Sequence, residues 1–337
     1  MAYRKADIPS KHFDNLFNRL PSLKGKTIAI TGTTSGTGFV AAEACGKLGA
    51  NVLLLNRPSE RANSALATLQ INNSQGNFLA IDCDLQSFDS VKEAADKVHE
   101  FCPNGLDVLC NNAGVMALED TATLDGFDVQ MQTNHLSHFL LTKLTFNLLE
   151  KASEAKGEAR IVNHSSIARK QVKKLESAYL MKNGGNLGGN GSSIFLGGAR
   201  WERYGQTKLA NATFTACLHN KLTAKNSNIK ALVAHPGLAE TELQSTTVKD
   251  GGMGKWFTGQ LMKIGQSRED GALGILTCIA HSDVCSGQFF GPGMGGMFTA
   301  NRGPAMGYSL EKSYDNPATR DLLWNLSCEA IGAEFNI

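Results

Sequence analysis

Apolar runs of strand length alternate with longer segments of helical period through almost the whole chain, and few architectures accommodate that alternation. Strands are expected at 26–31, 51–55, 77–81, 106–110, 160–164, 229–234 and 288–290, with helices at 38–48, 60–72, 87–101, 124–151, 201–223 and 268–280. Successive strand–helix–strand units cross over with a right hand, so the strand ends, and any ligand, gather on one edge. The α/β arrangement these segments describe is a seven-stranded parallel sheet flanked by helices.

The 337 residues are enough for two domains, yet open α/β sheets of this length form one. Residues 25–337 are read as a single domain, preceded by a helical extension at 1–24. In that extension Phe13, Leu16, Phe17 and Leu20 share one face of a short helix, which packs on the domain or, alternatively, makes peripheral contact with a membrane or a partner. The stretch 170–200 interrupts the alternation. Its seven glycines between Asn183 and Gly198 exclude a regular element, leaving a surface insertion or a lid on the substrate side.

Charge and cysteine content narrow the partners. Lys and Arg number 33 against 31 Asp and Glu, so no basic excess favours nucleic acid. No run reaches the roughly 18 apolar residues of a transmembrane span, and the charged residues at 1–25 contain no secretory core. The eight cysteines are dispersed without paired spacing and read as reduced thiols, which points to the cytoplasm and leaves an organellar address open.

The segment Thr31-Gly32-Thr33-Thr34-Ser35-Gly36-Thr37-Gly38 follows the first strand and opens the first long helix. Gly32 permits a tight turn, Gly36 lets backbone approach a pyrophosphate, and Gly38 allows close helix packing while helix amides face the phosphates. Gly32, Thr34, Ser35, Gly36, Thr37 and Gly38 are therefore candidate dinucleotide contacts, and the doubly wound sheet is of the Rossmann kind. A carboxylate at the end of the second strand would select a free ribose 2′-hydroxyl; this chain carries Asn56 and Arg57 there, with Arg61 beyond. Such neutral and cationic donors favour a 2′-phosphate, hence NADP(H). Asp84, followed by Leu85, is a candidate acceptor for the adenine amine, with Asp82 as rival. After the fourth strand, Asn112, Ala113 and Gly114 are small enough to let backbone lie along the cofactor.

Tyr204 and Lys208 stand one helical turn apart, which puts the ammonium near the phenol. A phenol of ordinary pKa, about 10, is a poor catalyst at neutral pH, and a fixed neighbouring cation is expected to lower that value. Tyr204 then exchanges a proton with a substrate oxygen while nicotinamide exchanges the hydride. His135 and His138 lack a third spaced ligand, so no metal is expected, and no G-x-S-x-G elbow marks a serine hydrolase.

Taken in order, TGTTSGTG, NNAG, TNHLSHF, the pair Ser165-Ser166, YGQTK and His235-Pro236-Gly237 resemble the short-chain dehydrogenase/reductase superfamily over roughly residues 25 to 290. LTKLTFNLL, RIVNHSSIA, YGQTKLAN and LWNLSCEAIG are similar to its retinol dehydrogenase and protochlorophyllide reductase-like branch. The resemblance implies a tetrad of Asn134, Ser166, Tyr204 and Lys208, in which Ser166 holds the substrate oxygen, Lys208 also bonds the nicotinamide ribose and Asn134 supports a proton-relaying water. Pro236, Gly237, Leu238 and Thr241 would contact the nicotinamide, and residues 251–265, with Trp256, Phe257, Leu261, Met262 and Ile264, would cover a bulky apolar substrate. Relatives often form dimers or tetramers through their two long central helices.

One departure is that Tyr204 lies 38 positions after Ser166, a longer interval than in typical members, because the glycine-rich stretch intervenes. The expected activity is NADP(H)-dependent interconversion of a carbonyl and an alcohol on a hydrophobic small molecule, such as a retinoid-like aldehyde or ketone. A C=C reductase of the protochlorophyllide reductase type and a non-catalytic NADP(H)-sensing protein are the alternatives.

Overall fold

The computed structural model describes residues 8–73, 75–192, 196–293 and 301–337; residues 1–7 of the extension and 193–195 of the glycine-rich stretch lie outside the described residues. Strands β1 (Thr27–Thr31), β2 (Asn51–Asn56), β3 (Asn77–Asp82), β4 (Val108–Asn111), β5 (Ala159–His164), β6 (Ile229–Ala234) and β7 (Gln288–Pro292) all run parallel, in the order β3-β2-β1-β4-β5-β6-β7. The order reverses between β1 and β4, which opens a crevice at their carboxyl ends. Strands buried on both faces need apolar residues throughout, which is why the centre of β2, Val52–Leu55, reads as a continuous run.

Alternate side chains divide the core. Ile28, Ile30, Val52 and Leu54 face α2 (Gly36–Lys47), α3 (Glu60–Asn72) and α11 (Leu273–Ala280). On the opposite face, Ala29, Leu53 and Leu55 pack with α4 (Phe88–Phe101), α6 (Ser137–Lys156) and α7 (Ala199–Ala224). On this second face the chain also forms the short α5 (Val129–Met131) and a π-helical turn at Gln132–Leu136 that leads into α6. The helix expected to begin at 124 therefore starts at Val129, where Asp128 accepts from the amides of Gln130 and Met131 at 3.1 and 2.9 Å.

An eighth strand, β8 (Ala305–Ser309), corrects the seven-stranded expectation by pairing antiparallel with β7. Its half-exposed AMGYS sequence carries little alternation, and its position depends on a partner: Tyr308 stacks on Phe289 at 5.0 Å. Three further helices escaped the periodicity: α8 (Glu242–Lys249), α9 (Lys255–Met262) and α12 (Pro317–Ile331). The expected helix at 268–280 is broken into α10 (Arg268–Gly271) and α11.

In the extension, α1 (Phe13–Phe17) sets Leu16, with Leu20 beyond it, into the α2–α11 face of the core. Asp270 fastens it, accepting the Ser10 hydroxyl at 2.7 Å and the amides of Lys11, His12 and Phe13 at 2.9, 2.9 and 3.1 Å. At the other end of the chain, α12 lies across α7 and the aromatic face of α6. Trp324 stacks on Phe335 at 5.0 Å and meets Phe139 edge-on at 5.2 Å, and Phe214 joins the same cluster. The central-helix surface through which relatives were expected to associate thus carries this chain's own α12 at these residues. Trp324→Ala, which removes a buried ring from three aromatic contacts, is expected to cost about 3–5 kcal/mol of stability in urea unfolding.

Candidate active site

The turn after β1 is held by polar groups beneath it. Asn56 was read as a possible ribose contact, but its carboxamide is buried and engaged: Oδ1 accepts the Thr33 amide at 2.7 Å and Nδ2 donates to Thr33 Oγ1 at 2.8 Å. Asn112 is spent in the same way, donating to the carbonyls of Thr31 and Gly32 at 2.9 and 3.1 Å and accepting from Thr37 Oγ1 at 3.2 Å. Both asparagines therefore act on the turn through their side chains. A Cβ on Gly38 would lie 2.2 Å from the Gly32 carbonyl oxygen, so only glycine allows α2 to start this close to the strand.

Ser35, at the head of α2, makes no side-chain capping bond to the leading amides, and a Cβ on Gly36 would stand 3.1 Å from Cγ2 of Thr241, at the head of α8. Gly36 and the Thr241 side chain thus bound the crevice from either side. Arg57 is exposed at the end of β2, and Asp84 is half-buried after β3 while Asp82 is exposed. Leu85 and Ala113 follow β3 and β4, and Pro236, Gly237 and Leu238 follow β6, so all lie at the carboxyl edge where a doubly wound sheet takes its ligand.

Asn134, Ser166 and the α7 pair Tyr204 and Lys208 come from three separated stretches of chain, and Asn134 and Lys208 meet beside Gly114. A Cβ on Gly114 would stand 3.0 Å from Asn134 Oδ1 and 3.3 Å from Lys208 Nζ. The Asn134 side chain straps the loop after β4, accepting the Val115 amide at 2.7 Å and donating to the Val115 carbonyl and to Thr207 Oγ1, both at 2.9 Å. Tyr204 is buried and hydrogen-bonded to the Ser166 side chain, and Lys208 Nζ lies 5.7 Å from the centre of its ring. Lys208 Nζ donates to the His164 carbonyl at 3.1 Å, which ties α7 to the end of β5. The adjacent serine, Ser165, is occupied elsewhere, donating to the Lys208 carbonyl at 2.7 Å.

The electrostatics reverse one expectation. Burial pushes the Tyr204 phenol up to about 12 despite the Ser166 hydrogen bond, and it brings Lys208 down to about 8. Desolvation disfavours both charged forms, and in this enclosed site it outweighs the attraction between them. Tyr204 is accordingly a protonated donor at neutral pH.

The 38-residue interval between Ser166 and Tyr204 does not part them, because the glycine-rich stretch is braced onto the start of α7. The fully buried Arg203 donates to the carbonyls of Leu187, Gly189 and Leu118 at 3.0, 2.8 and 3.0 Å and lies 3.3 Å from Asp128. Asp120 completes the brace by accepting the amides of Leu187 and Gly189 at 2.7 and 2.8 Å. Sequence reasoning missed this pair of residues. The available signal was a set of arginines, Arg200 and Arg203, on a helix otherwise apolar enough to be buried. An apolar wall stands beside Tyr204, formed by Ala117, Trp201, Val248 and Met253, with Phe257 and Leu261 packed against it. Trp256, by contrast, is exposed.

A profile of the short chain dehydrogenase family matches residues 26–181. The short-chain dehydrogenase/reductase drtF of Aspergillus calidoustus is 31% identical over 290 residues, covering 81% of this chain and 87% of that protein. The chain belongs to the short-chain dehydrogenase/reductase family. Its retinol dehydrogenase-like branch is represented by human retinol dehydrogenase 13, 33% identical over 230 residues, or 66% of this chain and 61% of the relative. The chain thus spans somewhat less than two thirds of the length of several curated relatives it matches. Among solved structures, an uncharacterized protein from Mycobacterium paratuberculosis superposes with a TM-score of 0.71 at 29% identity, covering 95% of this chain and 98% of the other.

Four histidines are buried in or near this short-chain dehydrogenase site, and burial lowers each: His135, His164 and His235 to about 3 and His138 to about 4. They are neutral in the fold and protonate near pH 6.5 when unfolded, so the unfolded chain binds more protons over the interval between. Stability is expected to fall progressively as pH drops below about 6.5, and urea midpoints measured from pH 7.5 to 5 would check it; flat midpoints would contradict buried neutral rings.

Proposed function

We propose that this protein is an NADP(H)-dependent oxidoreductase that interconverts a carbonyl and an alcohol on a hydrophobic small molecule, in a reducing compartment of the cell. One observation carries the reading: a buried, protonated Tyr204 hydroxyl hydrogen-bonds Ser166 while the Lys208 ammonium stands against the same ring. Seven of the eight cysteines are buried and all are free, in keeping with a reducing compartment, and among the described residues no helix is long and apolar enough to cross a membrane.

Bound NADPH supplies the hydride. Ser166 donates to the substrate oxygen and fixes it within reach of Tyr204, which transfers its proton to that oxygen as negative charge develops there. A phenol held near 12 keeps that proton at neutral pH and so favours carbonyl reduction; alcohol oxidation needs the phenolate and rises with pH. Lys208, anchored to the His164 carbonyl, retains its charge below about pH 8 and steadies the phenolate left after transfer. Asn134 keeps the loop after β4 closed over the site, and the apolar wall around Trp201 and Met253 admits a lipophilic substrate while excluding water. Arg57, exposed at the end of β2, would hold the cofactor's 2′-phosphate.

A carbonyl panel assayed in parallel with NADPH and NADH tests the reading; NADPH binding without turnover of any aldehyde, ketone or retinoid would point to a sensor instead. Tyr204→Phe is expected to lower kcat by about 10²–10⁴-fold while leaving NADPH affinity nearly unchanged, as measured by nicotinamide fluorescence. Arg57→Glu is expected to raise the KM for NADPH by about 10–100-fold with little effect on NADH; equal losses with both cofactors would place Arg57 outside the phosphate site.

A further inference from the structure

A cavity of about 230 Å³ lies between the turn that follows β5, α7 and the segment leading into α12. It has the volume of roughly seven waters, enough for a small ligand and too little for the substrate class proposed above. Arg169, Lys170 and Lys173 line it against a single carboxylate, Glu311. Arg169 forms the buried end, its side chain 1% exposed, while Lys170 and Lys173 stand exposed at the mouth.

The Arg169 guanidinium is only partly used. Nη2 donates to Glu311 at 2.5 Å, Nη1 donates to the Ser166 carbonyl at 3.2 Å, Tyr308 hydrogen-bonds the group, and the guanidinium lies 4.2 Å from the centre of the Phe289 ring. Its buried Nε has no hydrogen-bond partner. Glu311 is shared with Lys170 at 3.6 Å, and Lys173 has no ion-pair partner among the described residues. A buried guanidinium nitrogen left unpaired is costly, and three cations against one carboxylate leave an excess that an oxyanion would balance.

We propose that this cavity binds a small oxyanion, a carboxylate or a phosphate, and that its occupancy sets the position of Ser166. The coupling is short. Ser166 caps the 3-10 turn Ile167–Gln171 that bears Arg169, accepting the Ala168 amide at 3.3 Å, and Arg169 returns to hold the Ser166 carbonyl. The same cavity wall rests on the catalytic helix: Val172 packs where a Cβ on Gly205 would stand, at 2.8 Å, and Leu209 follows Lys208 directly. An anion drawn into the cavity against Arg169 therefore holds the guanidinium and, through it, the serine beside Tyr204.

The test titrates inorganic phosphate and, separately, succinate into the full chain saturated with NADP+, followed by calorimetry, with chloride at matched ionic strength as control. Saturable binding of one of them, weakened at least about tenfold in Lys170→Gln/Lys173→Gln, is the expected result, and the anion that binds identifies the ligand as phosphate or carboxylate. The double variant's thermal midpoint verifies that it is folded. In the wild type alone, the bound anion is expected to shift kcat for carbonyl reduction by twofold or more. Absence of saturable binding by both anions, or binding unchanged in the double variant, overturns the site; binding without any change in kcat overturns the coupling. Because the kinetic arm rests on the proposed catalytic role of Ser166 and the binding arm does not, failure of that role and failure of the site are read separately.

Discussion

The buried ammonium of Lys208 is the contact on which the site depends. A cation removed from water is tolerated only with a partner, and here the His164 carbonyl at the end of β5 supplies it. That bond fixes the longest helix, α7, against the strand that leads to Ser166, and with it the phase of the helical turn that carries Tyr204. Asn211, one turn further along, donates to the same carbonyl at 3.0 Å. Two donors from one helix on one strand-end oxygen leave α7 little freedom to rotate or slide, so Tyr204 is fixed in relation to Ser166.

Around that anchor the crevice is assembled from side-chain amides and hydroxyls. Thr31 Oγ1 accepts the amides of Asn112 and Ala113, both at 3.0 Å, and pairs with His138 Nε2 at 2.9 Å, while His138 Nδ1 reaches the Asn134 carbonyl at 3.1 Å. The chain of contacts runs from the glycine-rich turn, through a neutral histidine, to the strap that holds the loop after β4. Its neutrality follows from burial reinforced by the charge of Lys208, both of which disfavour an imidazolium. A turn that reads in sequence as a glycine pattern is, in the fold, a polar network that holds the glycines in place.

Legibility followed the physical range of each interaction. Seven strands and the Tyr204–Lys208 pair were visible because period and spacing are local properties of the chain. β8 and α12 were not: the first is specified by stacking of Tyr308 on Phe289, and the second by burial of Trp324 against Phe139 and Phe335, contacts between residues far apart in sequence. Asn56 was misread for a related reason. An amide at a strand end signals polarity but not its partner, and Thr33 had already claimed it.

Sequence alone determined the seven parallel strands, the glycine-rich turn after β1 and the set of residue types that meet at the candidate site, because hydrophobic period, glycine geometry and one-turn helical spacing act over a few residues. Tertiary structure decided how those groups behave. Enclosure reversed the expected shift of the Tyr204 phenol, since desolvation depends on everything packed around the ring. The brace from Arg203 and Asp120 turned a glycine-rich interruption into a fixed rim, since a buried guanidinium accepts only the carbonyls and carboxylates that the fold brings to it.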